Sequence, residues 1–169
     1  ARFETVPESI IMQCVAAITQ NGVRSKDILK IPRGTFIDNW SVMRDSLFTA
    51  IDFIRSELGV PVSQLIPYPS ILVPLAYFFF RIKNHKTNHA QKKQLEQFFY
   101  WVGLTGRYSS GVEGKLAEDL GRMDAIVANQ SPSYPAEDLS VRATVIRDQH
   151  FSAGNAYCKS ILCLLASQQ

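Results

Sequence analysis

Paired chemistry is scarce in this chain of 169 residues. It has three cysteines, Cys14, Cys158 and Cys163, each within an apolar run. None forms a Cys-x-x-Cys pair. That excludes a disulfide-dense scaffold and leaves no zinc-ligand spacing. The expected state is three buried, reduced thiols in a cytosolic protein. Neither sign of charge is in large excess. Lys and Arg total 18, Asp and Glu total 15, and the net charge of +3 alone does not define a nucleic-acid partner. No run alternates with period two and β-branched bias, so a substantial sheet is excluded. No signal-peptide pattern opens the chain, and there is no repeat at solenoid spacing. The charge-free stretch from Val60 to Phe80 is broken by Pro61, Pro67, Pro69 and Pro74. A membrane-spanning helix is therefore not expected.

What the chain does have is helical period, repeated. The composition is 46% hydrophobic and 20% charged, enough for one core without a metal or disulfide staple. Thr5–Glu8 fits a capping box, followed by Ile10, Ile11, Cys14, Val15 and Ile18, with Asn21-Gly22 as the stop. A short turn is expected after Ser25. Thr35–Asp38 fits a second start, and Trp40, Met43, Leu47, Ile51, Ile54 and Leu58 then recur at three and four. Phe36, Phe48 and Phe53 widen that face, so this helix is expected to pack on both sides. Ser70–Arg81 reads as a buried helix after an extended stretch. Leu95, Phe98, Phe99 and Val102 mark the next helix. Val112, Leu116, Leu120, Met123 and Val127 mark another, with Glu118 and Asp119 placed on its polar face. Pro135 fits a helix start ahead of Leu139, Ala143 and Ile146. Ala153, Ala156, Tyr157, Ser160, Ile161, Leu164 and Leu165 form the last stripe. The prediction is an all-α fold, a single compact domain over 1–169 with six or seven helices. Because the final stripe stops in mid-pattern, the chain is expected to be a middle piece of a longer protein.

Two features could carry binding. In the turn Gly106-Arg-Tyr-Ser-Ser-Gly111, Lys115 stands too far from Gly111 for a P-loop. The turn allows two readings. Ser110–Glu113 fits a capping box, with Ser109 as the alternative cap and the Tyr108 hydroxyl bonded to a neighbouring helix. Alternatively, a helix N-terminus flanked by Arg107 and Lys115, with Tyr108 and Ser109, makes an anion site for a nucleic-acid phosphate. Arg81, Lys83, Lys86, Lys92 and Lys93, with His85 and His89, form the densest basic patch. It reads either as a solvated loop or as a phosphate-tracking surface. His85 and His89 lack a third ligand nearby, so no metal is expected. Asp148 and His150 have no nucleophile-elbow partner, so no triad is assigned.

The run Phe98-Phe-Tyr-Trp-Val-Gly-Leu-Thr-Gly-Arg-Tyr-Ser-Ser-Gly-Val-Glu-Gly-Lys-Leu-Ala-Glu-Asp-Leu120 resembles the middle region of a large prokaryotic family. That family has a ParB/sulfiredoxin-like N-terminal domain and includes modification-dependent (type IV) restriction endonucleases of the GmrSD kind. Pro67-Tyr-Pro-Ser-Ile-Leu-Val-Pro-Leu-Ala76 and Asn155-Ala-Tyr-Cys-Lys-Ser-Ile-Leu-Cys-Leu-Leu-Ala166 extend the resemblance from about Pro7 to the C-terminus. In the family, an Asp-Gly-Gln-Gln-Arg motif linked to nucleotide hydrolysis lies on the N-terminal side. An HNH-type nuclease lies on the C-terminal side. Neither motif occurs here, so no catalytic residue is carried over. Arg107, Tyr108 and Ser109 match the family turn. The resemblance implies a non-catalytic, cytoplasmic helical connector without a cofactor. Its partners would be the flanking domains of the same polypeptide and, through the basic residues, the DNA backbone. The full-length protein would be an NTP-dependent endonuclease active in phage defence. The alternative is a helical protein-interaction module with no nucleic-acid role, docking through an aromatic surface at Phe78–Phe80 or Trp101.

Overall fold

The computed structural model describes residues 6–83, 86–135, 152 and 154–167. Among these, seven α-helices and no strand are present: α1 (Glu8–Gln20), α2 (Ser25–Ile28), α3 (Arg33–Ser56), α4 (Leu72–Arg81), α5 (His89–Leu104), α6 (Val112–Val127) and α7 (Ala156–Ala166). The all-α expectation is met. Thr5, His85, Leu139, Ala143, Ile146, Asp148, His150 and Ala153 lie outside the described residues, and so do the readings placed on them.

Helix ends follow local chemistry, with corrections to the sequence reading. Asn21 ends α1 in the left-handed region, at φ 50° and ψ 36°, as the Asn-Gly signal predicts. The start of α1 is Glu8, with Pro7 at the cap position and no side-chain cap. Glu8 is thus the first helical residue and not the third, as a capping box would need. Helix α3 likewise starts at Arg33 behind Pro32, two residues before Thr35. Proline fixes φ near the helical value, so each chain enters its helix without a hydroxyl cap. Beyond α3, Gly59 at φ 64° lets the Val60 N–H return to the Ile54 carbonyl at 3.2 Å.

Helix α4 is the centre of the core. Every residue from Leu72 to Phe79 is buried, and the helix packs against α1, α3 and α6. A helix apolar on all sides is stable only when enclosed in this way. Pro74 is tolerated because it sits in the first turn, where its missing N–H has no intrahelical acceptor. Two short 3₁₀ turns, Ser63–Leu65 and Pro69–Ile71, interrupt the stretch expected to be extended. Phe78 and Phe79 are buried and Trp101 is 5% exposed, so these three form core and not a docking surface, while Phe80 is half-buried.

Helix α7 is capped by Asn155, whose side-chain oxygen accepts from the Tyr157 N–H at 2.9 Å. Its buried face is Ala156, Tyr157, Cys158, Ser160 and Cys163. Leu165 is 58% exposed, so the stripe stops short of the position expected for it. Helix α3 departs further. It packs on α1 and α4, but Ile37, Trp40 and Phe48 stay exposed along the remaining side. No helix among the described residues is long and apolar enough to cross a membrane.

All three cysteines are buried, and none forms a disulfide. Burial pushes the Cys14 thiol up to about 12 from 9.0. Below pH 9 both folded and unfolded chains hold that proton. Above it the unfolded chain releases the proton first, so stability falls as pH rises toward 12. Replacing Cys14 with Ala should remove, at pH 10, a loss on the order of 1 kcal/mol relative to pH 8. Urea titrations of both chains at the two pH values give that difference, and equal losses would place the thiol in water.

Candidate functional site

The Gly106–Gly111 turn is built by its two glycines. Gly106 (φ 65°) and Gly111 (φ 60°) both lie in the left-handed region, which a side chain enters only at a cost. Between them, Arg107–Ser109 form one 3₁₀ turn, closed by the Ser109 N–H on the Gly106 carbonyl at 2.9 Å. This geometry reverses the chain from α5 into α6. It also settles the cap. Gly111 is the N-cap of α6 and no side chain caps it, so neither the Ser110–Glu113 box nor a Ser109 cap forms. Glu113 instead accepts from the Ser25 hydroxyl at 2.5 Å, tying α6 to α2. That places a carboxylate in the first turn of the helix, where the dipole already favours negative charge.

Arg107 turns inward. Its Nε donates to both oxygens of Asp119 at 3.1 and 2.9 Å. Its Nη2 donates to Glu118 at 2.7 Å and to the Lys115 carbonyl at 3.3 Å. The Tyr108 hydroxyl donates to Asp119 at 2.6 Å, which meets the expectation of a bond to a neighbouring helix. Arg122 donates to the same carboxylate at 2.9 Å and to the Ser133 carbonyl at 3.0 Å. Asp119 is fully buried, and the Arg107 side chain is 8% exposed. Both guanidiniums lie over the Trp101 ring, at 4.6 and 5.1 Å from its centroid. Tyr134 meets that ring edge-on at 4.7 Å.

The electrostatics follow from enclosure. Burial raises the Asp119 carboxyl from its ordinary value, while hydrogen bonds from Arg107 and Tyr108 oppose the rise. With two guanidiniums in contact it carries its charge at neutral pH. Burial also lifts the Tyr108 phenol far above its usual range, and the facing Asp119 adds to the rise. Arg107 holds the Glu118 carboxyl below its ordinary value. The arrangement is a closed ionic knot that fixes the α5–α6 reversal and the segment carrying Ser133 and Tyr134.

The structure therefore splits the candidate residues. Arg107 and Tyr108 are brought together, with their polar groups directed at Asp119. Ser109 is exposed on the turn, and Lys115 is half-buried beside it. The other five lie elsewhere, along the end of α4 and the start of α5. Arg81 bonds Asp124 and donates to the Tyr77 hydroxyl at 2.7 Å. Lys92 pairs with Glu57 at the end of α3. Lys86 and Lys92 line a groove of about 430 Å³ together with Asp52, Glu57, Phe53 and Phe79, so carboxylates are interleaved with the lysines. Among the described residues no ion pair engages Lys83, Lys86, Lys93 or Lys115. His89 opens α5, whose start is held by Asn88 and Gln91. The Asn88 carboxamide accepts the Gln91 N–H at 2.9 Å, and Gln91 accepts the Asn88 N–H at 3.1 Å.

Sequence reasoning missed Asp119, Arg122 and Tyr134 as members of the site and placed Asp119 on a polar face. A signal was present. Asp119 lies three residues after Leu116 and four before Met123, on the apolar stripe itself. A charge in that register must either break the stripe or find buried partners.

Fold and site together define an all-α domain whose most elaborate polar cluster is internal. No family model, no curated protein and no solved structure matches the chain.

Proposed function

We propose that this chain is a non-catalytic helical connector of a DNA-targeting restriction or defence protein of the GmrSD kind. It would hold a nucleotide-hydrolysing domain and an HNH nuclease in fixed relation. The observation that carries the reading is the inward commitment of the turn that matches the family motif. Arg107 and Tyr108 are saturated by Asp119 and Glu118, as a rigid joint requires and a reactive site does not. No catalytic residue or cofactor is assigned to the chain. Three buried thiols outside any disulfide fit a cytoplasmic setting.

The DNA contact belongs to the exposed lysines and not to the turn. Lys83, Lys86 and Lys93 are exposed and can follow a phosphate backbone. Fluorescence anisotropy with a DNA duplex at several salt concentrations tests this. Replacing all three with Ala should flatten the salt slope by up to about three units, near 0.9 for each phosphate no longer neutralised. Arg107→Ala should lower the thermal midpoint and leave the salt slope as it is. If the triple variant keeps the wild-type slope, the backbone contact is wrong and the protein-interaction reading takes its place.

A further inference from the structure

Between the entry to α1, the two 3₁₀ turns and α7 lies a cavity of about 290 Å³. None of the lysines assigned to DNA lines it. Its wall is mostly apolar. Ile66 and Leu72 are buried there, Val6 is half-buried and Pro69 is exposed. Ser63 and Gln64 add a hydroxyl and a carboxamide. Lys159 of α7 is the one charged side chain among the described residues that line the cavity. The volume falls at the small end of ligand sites, which join an apolar lining to a few placed polar groups.

Lys159 is electrostatically out of place. It falls in the first turn of α7, where the helix dipole disfavours a cation, and no acidic residue shares that turn. It is half-buried, yet among the described residues no ion pair engages it. Glu8 follows the cavity-lining Pro7 but is exposed and does not line the cavity. Cys163, one turn further along α7, feels the Lys159 charge. Burial nevertheless pushes its thiol up to about 11, so it is neutral at pH 7 and supplies no counter-ion. An anion seated in the cavity would supply one. One ammonium balances one negative charge. A carboxylate therefore fits, whereas a phosphate dianion would leave excess charge in a mostly apolar space.

We propose that this cavity binds a small carboxylate with an apolar tail, its charged end on Lys159 and its tail against Val6, Ile66 and Leu72. Octanoate is the probe, with octanol, octylammonium and octyl phosphate as tails of the same length bearing other head groups. Calorimetry at pH 7 should give octanoate a dissociation constant of about 0.1–1 mM, the range open to so few atoms. Octanol and octylammonium should bind about tenfold more weakly or less, since each lacks the charge-assisted bond. Octyl phosphate should also bind more weakly than octanoate. In methyl-resolved NMR spectra, octanoate should shift Val6, Ile66 and Leu72 and leave exposed Ile37 of α3 unmoved. That contrast separates the cavity from adsorption on an apolar surface. Lys159→Met keeps the apolar stem and should bring octanoate down to the level of octanol, while Lys159→Arg should keep the preference. No octanoate binding at 10 times the expected range, on the order of 10 mM, overturns the proposal. So does octylammonium or octyl phosphate binding as tightly as octanoate, a shift at Ile37 equal to those in the cavity, or a Lys159→Met chain that still prefers octanoate.

Discussion

Asp119→Ala is expected to destabilise the protein by about 3–5 kcal/mol, the range for removing one partner of a buried ion pair. The substitution deletes a carboxylate that accepts from Arg107, Tyr108 and Arg122 at once. Two guanidiniums with side chains 8% and 16% exposed are then left without their main acceptor. Glu118 is 61% exposed and meets both guanidiniums from outside, so solvent screens what remains. Asp119→Asn keeps the volume and one acceptor, and should recover part of the loss. Urea unfolding at pH 7 measures both. A loss below about 1 kcal/mol for Asp119→Ala would mean that water reaches the guanidiniums, as it does in ordinary surface pairs. The result bears on function as well. The proposed connector role requires a stiff α5–α6 reversal, and this carboxylate is the group on which that reversal converges.

The architecture was legible wherever apolar spacing dominated. Helices α5 and α6 follow their stripes because Phe98, Phe99, Leu116 and Met123 have no alternative but the core. The stops at Asn21 and Gly59 were legible because only a positive φ closes those ends. Caps were less legible. Ser110 and Glu113 have the right spacing, yet Gly111 takes the cap because the turn must already pass through a left-handed residue there. The candidate site was legible in location but not in direction. Sequence places Arg107 and Tyr108 in a turn between helices. Whether their polar ends face water or protein depends on Asp119, Arg122 and Trp101, which only the tertiary fold brings to them. The exposed row on α3 was hidden for the opposite reason. Phe48 looks like core by residue type, and its exposure follows from which sides α1 and α4 already occupy.

The second large effect expected is at Gly103, near the end of α5. In a helix interior, glycine to alanine ordinarily stabilises by about 0.5–1 kcal/mol, through lower unfolded-state entropy. At Gly103 the sign should reverse. A Cβ there would fall 1.9 Å from the Ser160 hydroxyl of α7 and 2.9 Å from Cγ of Pro67. The hydroxyl is fixed by its bond to the Ala156 carbonyl at 2.9 Å, and the proline ring cannot rotate aside. Either α7 moves off α5 or the segment carrying Pro67 shifts. The expected cost is about 2–3 kcal/mol, the range for overpacking a closed contact. Adding Ser160→Ala removes the nearer obstacle and leaves Pro67, so the double variant should recover part of the loss. Gly114→Ala and Gly121→Ala are the controls. Both positions lie within α6 with nothing within 4 Å of a built Cβ, and both changes should stabilise. Thermal melts of the four chains decide the matter. If Gly103→Ala melts with the two controls, α5 and α7 do not approach through this residue, and the hold on α7 must come from elsewhere.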